Sequence, residues 1–356
     1  MFGNIYNNRR CLITGHTGFK GSWLIFWLQQ LGAEVCGTAL PVEEPSHYTL
    51  LKSSCSSYFC DVRDFEGLYR IFRSFQPEIV FHLAAQPLVR RSYKEPVDTF
   101  GVNVMGTVNV LECCKNCESV RSVVVVTTDK CYENPETGVP FAESAPLGGH
   151  DPYSASKAAA EMAVSGYNRS FFIPGGEVFC ASARAGNVIG GGDWAADRLV
   201  PDMVRGAAAG KITKLRNPGA VRPWQHVLEP LSGYLQLGAG LFQKKEPLRG
   251  SWNFGPDEND TLTVGEVAEK MHDCWGKMCF EYEQEPDAPH EAALLRLNCS
   301  KAAEILDWRG VWDSGTAISR TVGWYREFYE NQKVMTAEDL ASYCRDAAER
   351  GLAWTK

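Results

Sequence analysis

The chain has 356 residues, a formal net charge of −7 and an ordinary globular composition with acids and bases mixed along its length, which argues against general nucleic-acid binding. No apolar run approaches ~18 residues, and the polar start leads directly into a strand pattern, so neither a membrane span nor a signal peptide is expected. The thirteen cysteines are scattered, which favours reduced thiols and a cytoplasmic location.

In the first half of the chain, apolar strand patterns alternate with helical patterns. Strands are expected at 11–15, 34–40, 56–61, 78–85, 122–128 and 177–189, with helices at 19–33, 65–76, 95–117 and 153–171. Continuous apolar strands separated by helices are typical of a parallel sheet covered on both faces. With right-handed crossovers, the pattern predicts an α/β fold with a Rossmann-type doubly wound sheet.

Beyond residue 190 this alternation stops, and glycine and proline interrupt the pattern. A helix is expected at 226–242 and a strand at 251–255 that rejoins the sheet, followed by a smaller mixed lobe. The predicted division is a nucleotide-binding domain at 1–186 joined by 222–255, a substrate-binding lobe at 187–221 and 256–334, and a helical C-terminal appendix at 335–356.

Three glycines follow the first strand and open the first helix. Gly15, Gly18 and Gly21 in "GHTGFKG" permit a tight turn and a close approach of the backbone to a pyrophosphate. A plain turn is the alternative, but the position in the first βαβ unit favours a dinucleotide site that also includes Thr17 and Phe19.

The type of dinucleotide is indicated by the second and third strands. The second strand ends in "GTALPVEEP", with no arginine to receive a 2′-phosphate, and Glu43 and Glu44 would repel one. NAD is therefore favoured over NADP. Asp61, after the third strand, is a candidate acceptor for the adenine amino group or, alternatively, an acid at the start of the next helix.

Tyr153 and Lys157 are spaced so that their side chains share one face of a helix. The helix follows the strand that ends at Thr128, and parallel strands present their carboxyl ends to the ligand crevice. A nearby ammonium and a nicotinamide would lower the pKa of the phenol, which would make Tyr153 a base toward a sugar hydroxyl.

Five motifs together resemble the extended short-chain dehydrogenase/reductase family of NAD-dependent epimerases and dehydratases, over roughly residues 10–330. They are "GHTGFKG" (15–21), "HLAA" (82–85), "NVMGT" (103–107), Thr128 and "YSASK" (153–157). The resemblance implies that Ala84 and Ala85 contact NAD. It also implies a homodimer formed through the helices at 95–117 and 153–171, with a tetramer as an open alternative.

Asp129 and Lys130 directly follow Thr128 and narrow the expected activity. In the 4,6-dehydratases of this family, an acid and a base at these positions remove water from the sugar after its carbon 4 has been oxidised. By that resemblance Asp129 is the acid, and Lys130 acts at carbon 5 as a base or as an electrostatic stabiliser. A lysine at the second position is similar to the branch that acts on CDP-glucose. The alternative is that Asp129 and Lys130 are a solvated pair in a loop.

Several polar residues are candidates for binding the nucleotide sugar. They are Gln86, Asn187, Arg198, Arg222 and His226, with one of Arg90 and Arg91 reaching a phosphate. Arg222 in a structural salt bridge and His226 as a polar cap near the next helix are the alternative interpretations.

Other functions remain as alternatives. The same fold serves 4-epimerases, dehydratases for other nucleotide sugars and non-catalytic NAD sensors. A 4-epimerase does not need the acid and base at 129–130. A non-catalytic sensor would be expected to lack one or more of Thr128, Tyr153 and Lys157, which are all present. The CxxC at Cys114 and Cys117, with Cys113 beside it, lies late in a helix without a second pair, so packing is favoured and no metal site is predicted.

Overall fold

The computed structural model describes residues 1–283 and 294–356, and its central element is a sheet of seven parallel strands. The first six, β1 to β6, are Arg10–Thr14, Glu34–Ala39, Ser56–Phe59, Ile79–His82, Ser122–Val126 and Phe179–Ala185. The seventh, Gly250–Phe254, pairs in parallel with β6. The predicted doubly wound sheet and the return of the chain to it near residue 251 are both confirmed.

The order across the sheet is Gly250–Phe254, β6, β5, β4, β1, β2, β3. From β1 the chain builds outward to β2 and β3, then crosses back and builds through β4, β5 and β6. The direction in which successive strands are added to the sheet reverses between β1 and β4, which leaves a crevice at the carboxyl ends of these two strands. Ligands of open α/β sheets bind in this position.

Helices cover both faces of the sheet and form most of the remainder. The α-helices of five or more residues are Phe19–Gln30, His47–Leu51, Phe65–Phe75, Val89–Lys94, Pro96–Phe100, Gly106–Lys115, Pro152–Tyr167, Leu199–Ala209, Leu228–Phe242, Val264–Cys274, Ser300–Ile305, Ser314–Asn331 and Thr336–Glu349. In the part of the chain that is described, every helix is too short or too polar to cross a membrane.

Two predicted helices contain a turn of wider π geometry. The helix expected at 95–117 is interrupted at Gly101–Met105, and the one expected at 153–171 changes at Asn168–Phe172. The sequence prediction also missed the helices Leu199–Ala209 and Ser314–Asn331. The strand expected at 177–189 ends at Ala185, because Gly186 starts a break before the short strand Val188–Ile189.

Three two-stranded pairs lie outside the central sheet. They are Val188–Ile189 with Gln225–His226, Val221–Arg222 with Leu262–Thr263, and Thr213–Leu215 with Phe280–Tyr282. Residues 284–293 of the predicted lobe lie outside the described residues, and the division into domains stays a prediction.

The C-terminal segment packs into the main core. One face of the last helix carries Leu340, Tyr343 and Ala347. These side chains are buried in the same apolar cluster as residues of the helix Phe19–Gln30. Trp354 stacks on Phe2 with ring centroids 5.2 Å apart, which joins the two chain ends. Cys113, Cys114 and Cys117 are buried in a second apolar cluster, as the packing interpretation predicted.

Candidate active site

A cavity of about 640 Å³ opens at the carboxyl ends of the central strands, where the chain direction reverses. Its lining contains all of the predicted catalytic residues, Thr128, Asp129, Lys130, Tyr153 and Lys157. It also contains all of the predicted cofactor residues, which are Tyr153 and Lys157 again and Gly15, Thr17, Gly18, Phe19, Gly21, Asp61, Ala84 and Ala85. Residues separated by more than a hundred positions in sequence therefore share one site.

The glycine turn forms one wall of this cavity and leaves no room for side chains. Gly15 has φ of +75°, and a Cβ there would lie 2.7 Å from the backbone nitrogen of Ala84. A Cβ at Gly21 would lie 2.2 Å from the carbonyl oxygen of Gly15. Gly18 precedes the first residue of the helix Phe19–Gln30 and provides no side-chain cap. The first N–H groups of that helix are thus available to an anion such as a pyrophosphate.

The helix that carries Tyr153 and Lys157 has a strongly specified start. Asp151 accepts hydrogen bonds from the backbone nitrogen of Ser154 at 2.9 Å and from its hydroxyl at 2.6 Å. Pro152 occupies the first helical position, where its fixed φ is favourable. This cap fixes where the helix begins, and Tyr153 in its first turn is consequently held at the cavity wall.

A buried amide connects this helix to the loop after β4. Asn103, in the π turn, donates to the hydroxyl of Ser156 at 2.8 Å and accepts from the backbone nitrogen of Gln86 at 2.8 Å. The "HLAA" motif is fixed in a similar way, since His82 bridges the hydroxyls of Thr14 and Thr107 at 2.6 and 3.0 Å. His82 and Asn103 therefore support the site from behind, whereas Ala84 and Ala85 of the same "HLAA" motif line the cavity.

The end of β5 delivers a buried carboxyl group to the cavity. Asp129 is 1% exposed, and its Oδ1 accepts a hydrogen bond from the hydroxyl of Thr128 at 3.0 Å. Its Oδ2 has no hydrogen-bond partner among the described residues. A Cβ at position 186 would lie 2.9 Å from this oxygen, so glycine there permits the close approach. Lys130, half-buried, lines the same cavity.

In the protein alone, burial opposes ionisation of the Tyr153 phenol. Burial raises the pKa of Tyr153 to about 12, and a hydrogen bond with Thr128 only partly offsets this effect. Desolvation of the phenolate is the largest contribution from the protein itself, and the lowering expected from Lys157 together with a nicotinamide stays a prediction. Burial lowers the pKa of Lys157 to about 8, and its Nζ donates to the carbonyl oxygen of Val126 at 3.2 Å.

A buried ion pair lies behind Lys157. Glu161, one helical turn further on, accepts from Arg184 at 2.7 Å and from the hydroxyl of Ser182 at 2.6 Å. It also accepts a hydrogen bond from Thr127, the residue before Thr128. The carboxylate of Glu161 thus connects the catalytic helix to the ends of β5 and β6, and its charge raises the pKa of Lys157.

Three of the predicted substrate residues line the cavity. They are Asn187, Arg198 and Arg222. Arg198 forms an ion pair with Asp193 at 2.9 Å. Of the two adjacent arginines, Arg90 lines the cavity, whereas Arg91 pairs with Glu95 at 2.7 Å on the outer surface.

Gln86 and His226 lie outside the lining of the cavity, contrary to prediction. The amide of Gln86 donates to the hydroxyl of Thr99 at 2.9 Å and is 4% exposed, so it secures the loop after β4. His226 is fully buried against Trp312, and its Nδ1 accepts from the first backbone nitrogen of the helix Leu228–Phe242 at 3.3 Å. The alternative interpretation of His226, a polar cap, agrees with this geometry.

Lys20 is a residue that the sequence analysis did not identify. It lines the cavity, and burial together with the charges of Arg198 and Lys157 lowers its pKa to about 7. Its position in the sequence could have indicated it. A cation in the first turn of a helix is destabilised by the helix dipole, so a lysine there suggests a role other than helix stability.

Asp61 lies at the adenine end of the predicted site. Both of its carboxylate oxygens accept from Arg63, at 3.0 and 2.6 Å, and this neighbour lowers the pKa of Asp61. The cap of the following helix is Asp64 instead. The alternative of Asp61 as the helix N-terminal acid is therefore wrong, and its contact with adenine stays a prediction.

Comparison with known proteins agrees with this arrangement. Residues 12–321 match the sequence model of a family described as GDP-mannose 4,6 dehydratase. CDP-glucose 4,6-dehydratase of Salmonella typhimurium is 43% identical over 96% of this chain and 97% of its own length.

Solved structures with the same fold include enzymes with NAD bound. A dTDP-glucose 4,6-dehydratase from Streptomyces venezuelae, solved with NAD, is 25% identical and has a TM-score of 0.76, covering 91% of this chain and 100% of that one. A UDP-glucose 4-epimerase from Thermus thermophilus in complex with NAD is 29% identical, with a TM-score of 0.74 over 89% of this chain and 99% of that one.

Proposed function

The chain belongs to the family described as GDP-mannose 4,6 dehydratase, and on this premise we propose that it is an NAD-dependent enzyme that converts CDP-D-glucose to CDP-4-keto-6-deoxy-D-glucose and water. Such a product is an intermediate for deoxysugar synthesis. The 43% identity over nearly the whole chain supports CDP-glucose as the substrate rather than another nucleotide sugar.

The observation that carries the proposal is a buried acid beside the residues that suit oxidation of carbon 4. Asp129 lines the same cavity as Tyr153 and Lys157, with one carboxylate oxygen that has no partner among the described residues. A 4-epimerase moves no water and needs no acid at this position. The complete set of Thr128, Tyr153 and Lys157 also favours an enzyme over a non-catalytic NAD sensor.

The glycine turn fits a dinucleotide, because Gly15 and Gly21 bring the backbone to places that a Cβ would fill. Gly15, Gly18 and Gly21 would hold the pyrophosphate, with Thr17, Phe19, Ala84 and Ala85 along the cofactor and Asp61 toward the adenine. When bound, NAD accepts a hydride from carbon 4 of the sugar and returns it to carbon 6.

The side chains of this protein handle the protons. Tyr153, aided by Thr128, removes the proton of the hydroxyl at carbon 4. Oxidation there acidifies the proton at carbon 5, which Lys130 removes as a base; alternatively, Lys130 stabilises the enolate as a cation while another group takes the proton. A proton returns to carbon 5 when carbon 6 is reduced. Asp129 donates a proton to the hydroxyl at carbon 6, which then leaves as water. Arg198 and Arg222 would bind the diphosphate and Asn187 would orient it.

The test is incubation of the purified protein with CDP-, dTDP-, UDP- and GDP-glucose in the presence of NAD. We expect CDP-glucose to lose the mass of one water, and to do so faster than the other three. Formation of a galactose epimer without loss of water, or binding of NAD with no change in any nucleotide glucose, would contradict the proposal.

The reaction is expected to slow as the pH rises through about 8. Burial lowers the pKa of Lys157, so its ammonium is present below this pH and is lost above it. In a Glu161→Gln variant this alkaline decline of kcat/KM should move to lower pH, because the carboxylate that raises the pKa of Lys157 has been removed. Profiles of kcat/KM against pH for the two proteins test this.

A control separates charge from packing at the same ion pair. Ser182→Ala removes one hydrogen bond to Glu161 without changing its charge, so the pH of the decline should not move. Glu161→Gln leaves Arg184 buried without its partner, which costs about 3–5 kcal/mol, so assays are run well below its Tm. Identical alkaline declines in all three proteins would contradict an electrostatic role for Glu161.

We also expect a homodimer that forms through the two helical segments near Val97 and Met162. These side chains are 86% and 67% exposed, and Met105 and Ile173 on the same segments are 52% and 51% exposed. Large exposed apolar side chains that cluster are typical of an interface. Val97→Glu combined with Met162→Glu should give a monomer in sedimentation velocity, whereas Ile212→Glu, which is 60% exposed elsewhere, should not. A monomeric wild-type protein would contradict the dimer.

A further inference from the structure

His47 carries a buried imidazole ring that the mechanism above does not use. It begins the short helix His47–Leu51 and is 2% exposed. Its Nδ1 lies 2.8 Å from the hydroxyl oxygen of Ser22, and its Nε2 lies 2.7 Å from the hydroxyl oxygen of Thr336. One ring therefore connects the helix that follows the glycine turn with the first residue of the C-terminal helix.

Ser22 is the part of this contact that reaches the cofactor turn. Its hydroxyl donates to the carbonyl oxygen of Phe19 at 2.9 Å, and its backbone nitrogen donates to the carbonyl oxygen of Gly18 at 2.9 Å. Gly18 and Phe19 line the cavity, at the end of the helix whose first N–H groups are available to a pyrophosphate. The position of the Ser22 hydroxyl therefore affects the shape of the turn that receives this anion.

The partners of the ring determine which of its nitrogens carries the hydrogen. A hydroxyl has a single hydrogen, and Ser22 donates its own to Phe19, so the ring must donate from Nδ1 to Ser22. Burial lowers the pKa of His47 to about 3, so the ring is neutral and its Nε2 accepts. Thr336 donates to that nitrogen and itself accepts from the indole nitrogen of Trp324 at 3.1 Å. In this arrangement the hydrogen of each hydroxyl has an acceptor.

The surroundings hold the ring in this orientation. Trp23 stacks on it with ring centroids 5.1 Å apart. Gly192 has φ of +88°, and a Cβ there would lie 2.5 Å from the Cβ of His47, so glycine makes room for the histidine. The opposite tautomer would withdraw the Ser22 hydrogen from the turn and leave that of Thr336 without an acceptor among the described residues. A donor is therefore presented to Ser22 at a fixed place.

We propose that His47 is a positioning residue for the cofactor: its Nδ1–H holds the Ser22 hydroxyl toward Phe19 and thereby sets the turn that receives the pyrophosphate of NAD. The inference rests on the proposed function only in taking NAD as the ligand of that turn. Neither His47 nor Ser22 lines the cavity, so both act through the turn and not by touching the ligand. Loss of one such hydrogen bond is expected to weaken NAD binding about three- to tenfold, with kcat at saturating NAD unchanged.

The experiment measures binding of NAD to the NAD-free full-length protein by calorimetry, with substitutions that separate the two ring nitrogens. An asparagine amide can take the place of Nδ1 and donate to Ser22, so His47→Asn should bind NAD as tightly as the wild type. A glutamine amide reaches the place of Nε2 instead, so His47→Gln should bind NAD about three- to tenfold more weakly. Ser22→Ala should show the same loss, and Ser22→Ala combined with His47→Gln should bind no more weakly than Ser22→Ala alone.

The wild-type protein gives a second test that needs no stable variant. Nitrogen NMR near neutral pH, with His47 assigned through its backbone, should show a neutral ring protonated at Nδ1. A ring protonated at Nε2 would overturn the inference. Equal affinity of the wild type and His47→Gln for NAD would overturn it as well.

Ser232→Ala is the matched control for Ser22→Ala. Ser232 is fully buried and donates to the carbonyl oxygen three residues before it at 2.7 Å, as Ser22 does, but it lies outside the cavity lining. We expect this variant to have a lower Tm and the NAD affinity of the wild type, and a loss of affinity equal to that of Ser22→Ala would contradict the inference. Absence of NAD binding by the wild type is a separate result, which would contradict the proposed function.

Discussion

Replacing Tyr153 with phenylalanine is expected to reduce kcat/KM for CDP-glucose about a hundred- to ten-thousandfold, the range that a positioned general base contributes. The change removes one oxygen and keeps the aromatic ring, which is 8% exposed at the cavity wall. Lys157 keeps its hydrogen bond to Val126, and the glycine turn is untouched. NAD affinity, measured by quenching of protein fluorescence, should therefore be unchanged, whereas oxidation at carbon 4 and loss of water should slow together.

Tyr167→Phe is the matched control for this variant. Tyr167 lies on the same helix, and its hydroxyl donates to Glu112 at 2.9 Å, away from the cavity. We expect its turnover to equal that of the wild type. Full turnover in Tyr153→Phe would refute the assigned role, and loss of NAD binding in that variant would show that the phenol acts on the cofactor site instead.

The site residues that the sequence predicted are those whose positions depend on residues nearby in the chain. Gly15, Gly18 and Gly21 are constrained by a turn within seven positions, and Tyr153 and Lys157 are constrained by one helical turn. Asp129 follows a run of four valines, so a strand pattern alone places its carboxyl group at a sheet end. In each case the residues that determine the position are neighbours in sequence.

The parts that the sequence did not predict depend on distant partners. The direction of His226 is set by packing against Trp312, and that of Gln86 by Thr99 in the following helix. The pKa of Tyr153 likewise depends on burial by the assembled fold, which no local motif encodes. These contacts arise only when separate elements of the chain pack against one another.

The C-terminal segment shows the same dependence on distant contacts. Tyr343 donates to Glu229 at 2.8 Å, and Glu229 also accepts from the backbone nitrogens of Val311 and Trp312 at 2.9 and 2.7 Å. One buried carboxyl group thereby joins three parts of the chain. Helical periodicity predicts the last helix but not its attachment, so the sequence alone described it as an appendix.

Replacing Asp129 with asparagine is expected to separate oxidation from loss of water. Asparagine keeps the size of the side chain and an oxygen that can accept from Thr128, as Asp129 does at 3.0 Å. It cannot deliver a carboxylic acid proton to the hydroxyl at carbon 6. Oxidation at carbon 4 should proceed while dehydration slows about a hundred- to ten-thousandfold. Reduced cofactor should therefore accumulate, visible by its near-ultraviolet absorbance in stopped flow, together with a 4-keto sugar that still carries its hydroxyl at carbon 6.

Asp64→Asn provides the same chemical change at a position that should not affect the reaction. Asp64 caps the helix Phe65–Phe75, where asparagine is as good a cap as aspartate, so both steps should retain wild-type rates. Normal dehydration by Asp129→Asn without accumulation of reduced cofactor would assign the acid to another residue. A variant that oxidises nothing would instead indicate that Asp129 and Tyr153 act in the same step, since both contact Thr128. Accumulation of reduced cofactor with slow loss of water therefore indicates an acid at carbon 6, whereas the absence of any oxidation indicates a second contributor at carbon 4.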